Sequence, residues 1–295
     1  MAKQNIYKMS LLSQIFALLV PILVIIVNAA QIHVLKNTPN KQFYEKVLLS
    51  LSVCDLLVGI LVFTFVPYYS IVQQDEFYIR IYKVVWTFVL CYLNITTLLH
   101  LIIIGMDRLW AIRAPFHHRI HTSHKKLVVL LGLCWCLPMI FILVNILSIL
   151  IQDMELKMVH VYVTTTMCSV VAKIDIVAAI LLLLCYSAII CIIRKRRGKI
   201  NQIKHSNQSN SMNTLILCIG IVLVFILFTA PFVAVYITIW ERPKWLDSLS
   251  RFVLPLSQIC NSLLYFLQKY RRSKRSAKTS RGNRQRHKES EDTRF

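Results

Sequence analysis

Three carboxylates stand inside long apolar runs: Asp55 in "LSLSVCDLLVGILVF", Asp107 at the end of "LLHLIIIGMD" and Asp175 in "AKIDIVAAILLLLCY". An acid at the centre of a hydrocarbon span costs about 2.5–3.5 kcal/mol, so each needs a cation, water or a task such as holding an ion or relaying a proton. Asp55 lies about ten residues into its run and must face a bundle interior or water; the plainer alternative is a carboxyl held by buried neighbours. Asp107 is followed by Arg108, whose guanidinium stays charged in poorly hydrated settings and offers several planar donors. Taken alone, that pair reads equally as an exposed rim at a membrane edge. Asp175 stands near the outer end of its run beside Lys173, the pattern of an interfacial pair that snorkels to water. Of the nine cysteines, Cys134 and Cys136 are two apart on a helix and face different directions, which argues against a metal pair. Hydrolase, kinase and redox constellations do not appear, so a non-enzyme is expected.

The elements that must position these residues are membrane spans. Hydrophobic residues make up 57% of the 295-residue chain and charged residues only 16%, outside the balance of a soluble domain. Runs long enough to cross a hydrocarbon core of about 30 Å recur at 9–34, 46–69, 81–107, 126–151, 170–193, 212–240 and 249–267. The expected fold class is therefore an all-α membrane protein, a seven-transmembrane helix bundle with a short C-terminal amphipathic helix. The first run could pass for a signal peptide, but about twenty apolar residues containing Pro21 favour a retained span. Residues 1–8 form a short N-terminus, 9–267 the bundle, 268–277 an interfacial amphipathic helix and 278–295 a disordered basic tail. The longest outer loop, about Gln152 to Ala172, carries "VHVYVTTT", whose alternation suits a short hairpin, and Cys168 falls within it.

The net charge of +21 would suggest nucleic acid in a soluble protein, but its placement points elsewhere. With the N-terminus outside, 25 of the 34 basic residues fall on the cytoplasmic side, as the positive-inside bias requires. That rim also attracts anionic lipid, at about 1 kcal/mol per residue near the surface. Membrane lipids are thus expected partners and nucleic acid is not. The location expected is the plasma membrane, with the tail in the cytoplasm.

Taken together, several motifs carry a resemblance. "DRLWAIRAPFHH" resembles the inner third span and second cytoplasmic loop of rhodopsin-like (class A) G protein-coupled receptors, with Leu109 where the family has Tyr. The second-span acid falls on Asp55, the first-span Asn on Asn28, the fourth-span Trp on Trp135 and the inner Tyr of the fifth span on Tyr186. "FILFTAP" keeps Phe225 and Pro231 with Thr229 in place of Trp, and "NSLLYF" keeps Asn261 and Tyr265 with Ser262 in place of Pro. The resemblance covers about residues 10–275.

The resemblance implies a receptor that binds an extracellular ligand within the bundle and activates heterotrimeric G proteins. Its activation switch would comprise Asp107, Arg108, Tyr186, Phe225, Pro231, Asn261 and Tyr265. Many relatives hold the arginine with a second acid at the base of the sixth span; here that position is Ser211, so a looser resting lock and ligand-free signalling are expected. Asp55, Thr97, Ser257 and Asn261, with Asn28 nearby, match a polar cluster that holds an allosteric sodium ion in many members; a water-filled network is the alternative. By family position the ligand pocket involves Trp86, Leu90, Cys91, Asn94, Thr229, Phe232 and Tyr236. Leu90 stands where amine receptors carry a ligand-binding Asp, and the seventh span has no Lys for retinal. Lys83 stands where most members have the disulfide cysteine of the third span, so no disulfide is expected for Cys168, with Cys91 eight residues deeper. Ser273, Ser276, Thr279, Ser280, Ser290 and Thr293 are candidate kinase and arrestin sites. The competing readings are an ion- or proton-coupled transporter or channel, in which Asp55 relays the ion, and a non-signalling decoy. Against the transporter stands the lack of an inverted repeat.

Overall fold

A computed structural model describes residues 11–39, 41–71, 76–121, 123–197, 219–220, 223–224, 226–230, 233–234, 256–267 and 269–270. Among them there is no strand. Apolar side chains leave only helices able to satisfy their own backbone in lipid, and the helices follow in order: α1 (Leu11–Lys36), α2 (Phe43–Ile71), α3 (Glu76–Arg113), the short α4 (Pro115–His121), α5 (His124–Ile151), α6 (Leu156–Tyr162) and α7 (Cys168–Arg197). Among the described residues, five helical stretches are long and apolar enough to cross a membrane, the last being Leu156–Lys195. A shorter apolar helix, α8 (Leu256–Leu267), lies near the end of the described chain, and the described residues between 219 and 234 are also helical.

The centre of the bundle is α3, the most buried of the long helices, which packs on α2, α5 and α7. Its inner half joins Leu98, Leu101 and Ile104 to Leu48 and Leu51 of α2 and to Leu182, Tyr186 and Ile189 of α7. Two glycines set the approach of neighbouring helices. A Cβ on Gly59 would meet Val24 Cγ1 at 2.8 Å, so α1 and α2 touch there backbone to side chain; at Gly105 it would meet Leu182 Cδ2 at 3.3 Å. By contrast α5 is mostly exposed, with Leu133, Leu137, Ile140, Leu143 and Leu147 turned outward, the surface a lipid-facing helix needs.

The outer connection differs from the expected hairpin. Helix α5 ends in a Schellman-type turn: Asp153 adopts φ 45°, its N–H reaches Leu150 O at 3.3 Å, and Met154 N–H reaches Ile149 O at 3.4 Å. Helix α6 starts at Leu156, and a single π-helical turn, Val163–Met167, joins it to α7. The threonines that favoured a strand instead bond back along the helix, Thr164 Oγ1 to His160 O at 2.7 Å and Thr165 Oγ1 to Val161 O at 2.6 Å. A lone hairpin would leave unpaired edges. The fifth span therefore begins near 156 rather than 170, and Cys168 is a buried helical residue rather than a loop one.

Residues 1–8, the loop 198–210, Ser211, the tail 278–295 and, of 268–277, all but Lys269 and Tyr270 lie outside the described residues. So do Phe225, Pro231, Phe232 and Tyr236.

Candidate functional site

At the inner end of α3, Asp107 is 7% exposed and its two oxygens are both engaged. Arg108 donates to Oδ2 through Nε at 2.9 Å and also through Nη2. His118, on the helix of the following loop, donates from Nε2 to Oδ1 at 2.8 Å. Pro115 opens that helix at the position where a missing N–H matters least, and one turn later His118 faces Asp107, its ring edge-on to Trp110 at 5.3 Å. Charge-assisted hydrogen bonds of this kind are the strong ones in proteins.

The guanidinium of Arg108 has another neighbour that sequence reading missed. Its Cζ lies 4.5 Å from the centroid of the Tyr44 ring, within cation–π range. Tyr44 stands in the first turn of α2, buried, with its hydroxyl donating to Glu45 Oε1 at 3.2 Å. Glu45 in turn caps the helix start, accepting from Gln42 N at 3.0 Å, half of a capping box. Arg108 is thus held from the second span as well as by its own neighbour. Tyr186 and Tyr265 are buried in the apolar cluster one turn above, with Gly105 making room beside Tyr186.

Deeper in the bundle, Asn28, Asp55, Thr97, Ser257, Asn261 and Ser262 are all buried. Asp55 accepts a hydrogen bond from the Asn261 side chain. Ser262, standing where the resemblance leads one to expect Pro, donates to Asn28 Oδ1 at 2.8 Å, and α8 runs through that position unbroken. In this cluster Asp55 Oδ1, Asn261 Oδ1 and Gln258 Oε1 are buried with no hydrogen-bond partner among the described residues. One carboxylate with neutral oxygen donors is the set a hard monovalent cation takes. Gln258 was not foreseen, and Thr97 is turned to Cys54 Sγ at 3.4 Å. A second polar knot ties α2, α3 and α5: Ser50 Oγ accepts from Trp135 Nε1 at 3.1 Å and pairs with His100 Nε2 at 2.8 Å. Trp135 was legible in the sequence; Ser50 and His100 carried no signal of their own.

The ligand-pocket residues divide around α3. Leu90 packs toward Cys54, Val58 and Leu93, whereas Cys91 joins Val163, Met167, Cys168 and Val171 of the fifth span. Trp86 and Asn94 are half-buried. Thr229 is buried, its hydroxyl 3.4 Å from Ile226 O. Asp175 overturns its expected place. It stands in the interior of the continuous helix, 2% exposed, and its Oδ1 accepts from Asn94 Nδ2 at 2.9 Å while Lys173 faces outward. The helical run begins near 156 rather than the 170 that hydropathy suggested, which moves Asp175 from the interface to the core. Cys91, eight residues deeper than the usual third-span position at Lys83, and Cys168 are brought into side-chain hydrogen-bond contact, both as free thiols.

Comparison with known proteins gives the family. The 7 transmembrane receptor (rhodopsin family) matches residues 22–265. "Dopamine receptor 2" of Drosophila melanogaster is 29% identical over 86 residues, which are 29% of this chain and 16% of that receptor. The chain thus aligns with a small part of the length of that curated relative. The family match runs from α1 to Tyr265, through the membrane-length helices and the Asp107–Arg108 pair. On that match the chain belongs to the rhodopsin family of seven-transmembrane receptors, non-enzymatic multi-pass membrane proteins built as a seven-helix bundle.

Proposed function

We propose that the chain is a plasma-membrane receptor, its N-terminus outside and its tail in the cytoplasm, that binds an extracellular ligand in the outer half of the bundle and activates heterotrimeric G proteins. The observation that carries this reading is the latch at the inner end of α3, where Asp107, His118 and the Tyr44 ring all hold Arg108 or its partner acid. A guanidinium held by one carboxylate and one ring face is releasable when the released state is itself favoured: a ligand that binds the open state more tightly shifts the population, and Arg108 then becomes available to the G protein. With Ser211 at the base of the sixth span, the Tyr44 contact takes over part of the holding role, so ligand-free output is measurable and is set by the second span.

Asp55, Asn261 and Gln258 would hold an allosteric sodium ion, with Ser257, Thr97 and Asn28 around them. The ion would supply positive charge to a carboxylate shared by α2 and α8, favouring the resting packing. Arrestin and anionic lipid are further partners of the basic cytoplasmic rim.

The test is second-messenger output in cells expressing wild type, Arg108→Ala and Asp55→Asn at matched surface levels. The expected result is output above mock-transfected cells for wild type and none for Arg108→Ala. Ionic current or solute uptake that survives Arg108→Ala would replace this reading with a transporter, and equal output from all three proteins would remove it.

A further inference from the structure

Asp175 is the acid that the switch does not use. Its Oδ1 accepts from Asn94, but its Oδ2 is buried with no hydrogen-bond partner. Among the described residues, the charged groups of the elements packed against it stand elsewhere. Lys173 is exposed on another face of the same helix, and Arg80 and Lys83 lie toward the outer end of α3, Lys83 about 16 Å along the helix axis from Asn94 at 1.5 Å per residue. Lys157 and His160 belong to α6, beyond the π-helical turn. Buried ionisable groups inside a span mark ligand or ion pathways when a partner is absent from the protein itself.

The neighbours of Asp175 decide which cation. Cys91 stands beside it and is also in contact with Cys168, two turns away on the helix of Asp175, in an apolar cluster with Val171 and Ile95. Thiols and hydrocarbon are poor ligands for sodium, which needs several oxygens; the oxygen-rich set is at Asp55. They are a good lining for the alkyl or aryl part of an organic cation. Leu90, on the α3 face turned toward α2, offers no charge, so the anchor lies across the helix on the fifth span.

We propose that Asp175, oriented by Asn94, anchors the ammonium or amidinium group of a small organic ligand that enters from the outer side of the bundle. Asn94 fixes one oxygen and leaves the other directed to a charge-assisted bond with the ligand N–H. The proposal rests on the reading of the chain as a ligand-gated receptor, since Asn94 and Cys91 are pocket residues in that reading.

The two thiols make the site testable without knowing the ligand. In the full-length receptor on intact cells, Cys91 and Cys168 are labelled from outside with cationic 2-(trimethylammonium)ethyl methanethiosulfonate or anionic 2-sulfonatoethyl methanethiosulfonate. The thiolate attacks the reagent sulfur, a mixed disulfide forms and methanesulfinate leaves; peptide mass identifies the modified cysteine. The expected result is a cationic-to-anionic rate ratio about tenfold above that of a free thiol, the low end of electrostatic focusing in a charged cleft. Asp175→Asn, which retains the acceptor for Asn94, returns the ratio to the free-thiol value, and Asp175→Glu keeps it raised. Phenethylammonium slows labelling of wild type and leaves Asp175→Asn unaffected. Absence of labelling at both cysteines, an unchanged ratio in Asp175→Asn, or slowing by sodium chloride over potassium chloride without any by phenethylammonium would each overturn the proposal. Output sensitive to Arg108→Ala is read in parallel. If it persists while charge discrimination is absent, the anchor fails and the receptor stands; the reverse pattern sinks the receptor reading alone.

Discussion

Asp107 and Asp175 are both nearly excluded from solvent, at 7% and 2% exposure, yet their surroundings are opposite. Every oxygen of Asp107 has a cationic or N–H partner from its own chain, from Arg108 and from His118. Asp175 has one neutral amide and one oxygen left over. A buried acid that is fully paired holds the protein in a state. A buried acid that is half paired is the place where something else must bind, or a standing cost to the empty fold.

Replacing each acid by its amide breaks the comparison most directly. Asp107→Asn removes the charge that holds Arg108, a loss of about 1.5–3 kcal/mol for hydrogen bonds to charged groups. It should raise ligand-free second-messenger output toward the ligand-saturated level and lower the melting temperature of the purified receptor. Asp175→Asn removes an uncompensated buried charge, so its ligand-free melting temperature should rise by a few degrees, consistent with a relief of about 1–3 kcal/mol. Shifts of the same sign in thermal denaturation would remove the distinction between the two sites.

Smaller effects sharpen the inner half. Tyr44→Leu takes away the ring over Arg108, and a cation–π contact of about 0.5–1 kcal/mol corresponds to a roughly two- to fivefold rise in ligand-free output. Tyr44→Phe keeps the ring and loses the bond to Glu45, so dose–response curves should leave its output close to wild type. If Phe and Leu raise output equally, the hydroxyl rather than the ring does the holding. Least of all, His118→Gln keeps an N–H within reach of Asp107 and should change output by less than twofold, about 0.4 kcal/mol or below; a larger change would make His118 a principal part of the latch.

The sequence made part of this legible because charge in an apolar run is conspicuous. Asp55, Asp107 and Arg108 declare themselves, and their order with Asn28, Trp135, Asn261 and Tyr265 pointed to the family that the match over residues 22–265 established. Tyr44 declared nothing, since it is one of 12 tyrosines and its contact with Arg108 spans 64 positions of the chain. Gln258, Ser50 and His100 were silent for the same reason: their roles come from helix packing, which periodicity does not report. The misreading at 152–172 had a local cause. Lys157, His160 and Lys173 interrupt the apolar run, and a threonine-rich alternating stretch mimics a strand, whereas in the fold the hydroxyls bond back to helix carbonyls. That one shift of a boundary placed Asp175 at the interface instead of in the core.

The central claim is that Arg108 is an activation switch held at rest from the second span. It is tested by GTP loading of heterotrimeric G proteins in membranes containing wild type, Tyr44→Leu or Arg108→Ala at equal receptor density. The account predicts measurable ligand-free loading by wild type, a roughly two- to fivefold increase in Tyr44→Leu and loss of loading in Arg108→Ala; indistinguishable loading by the three proteins would contradict it.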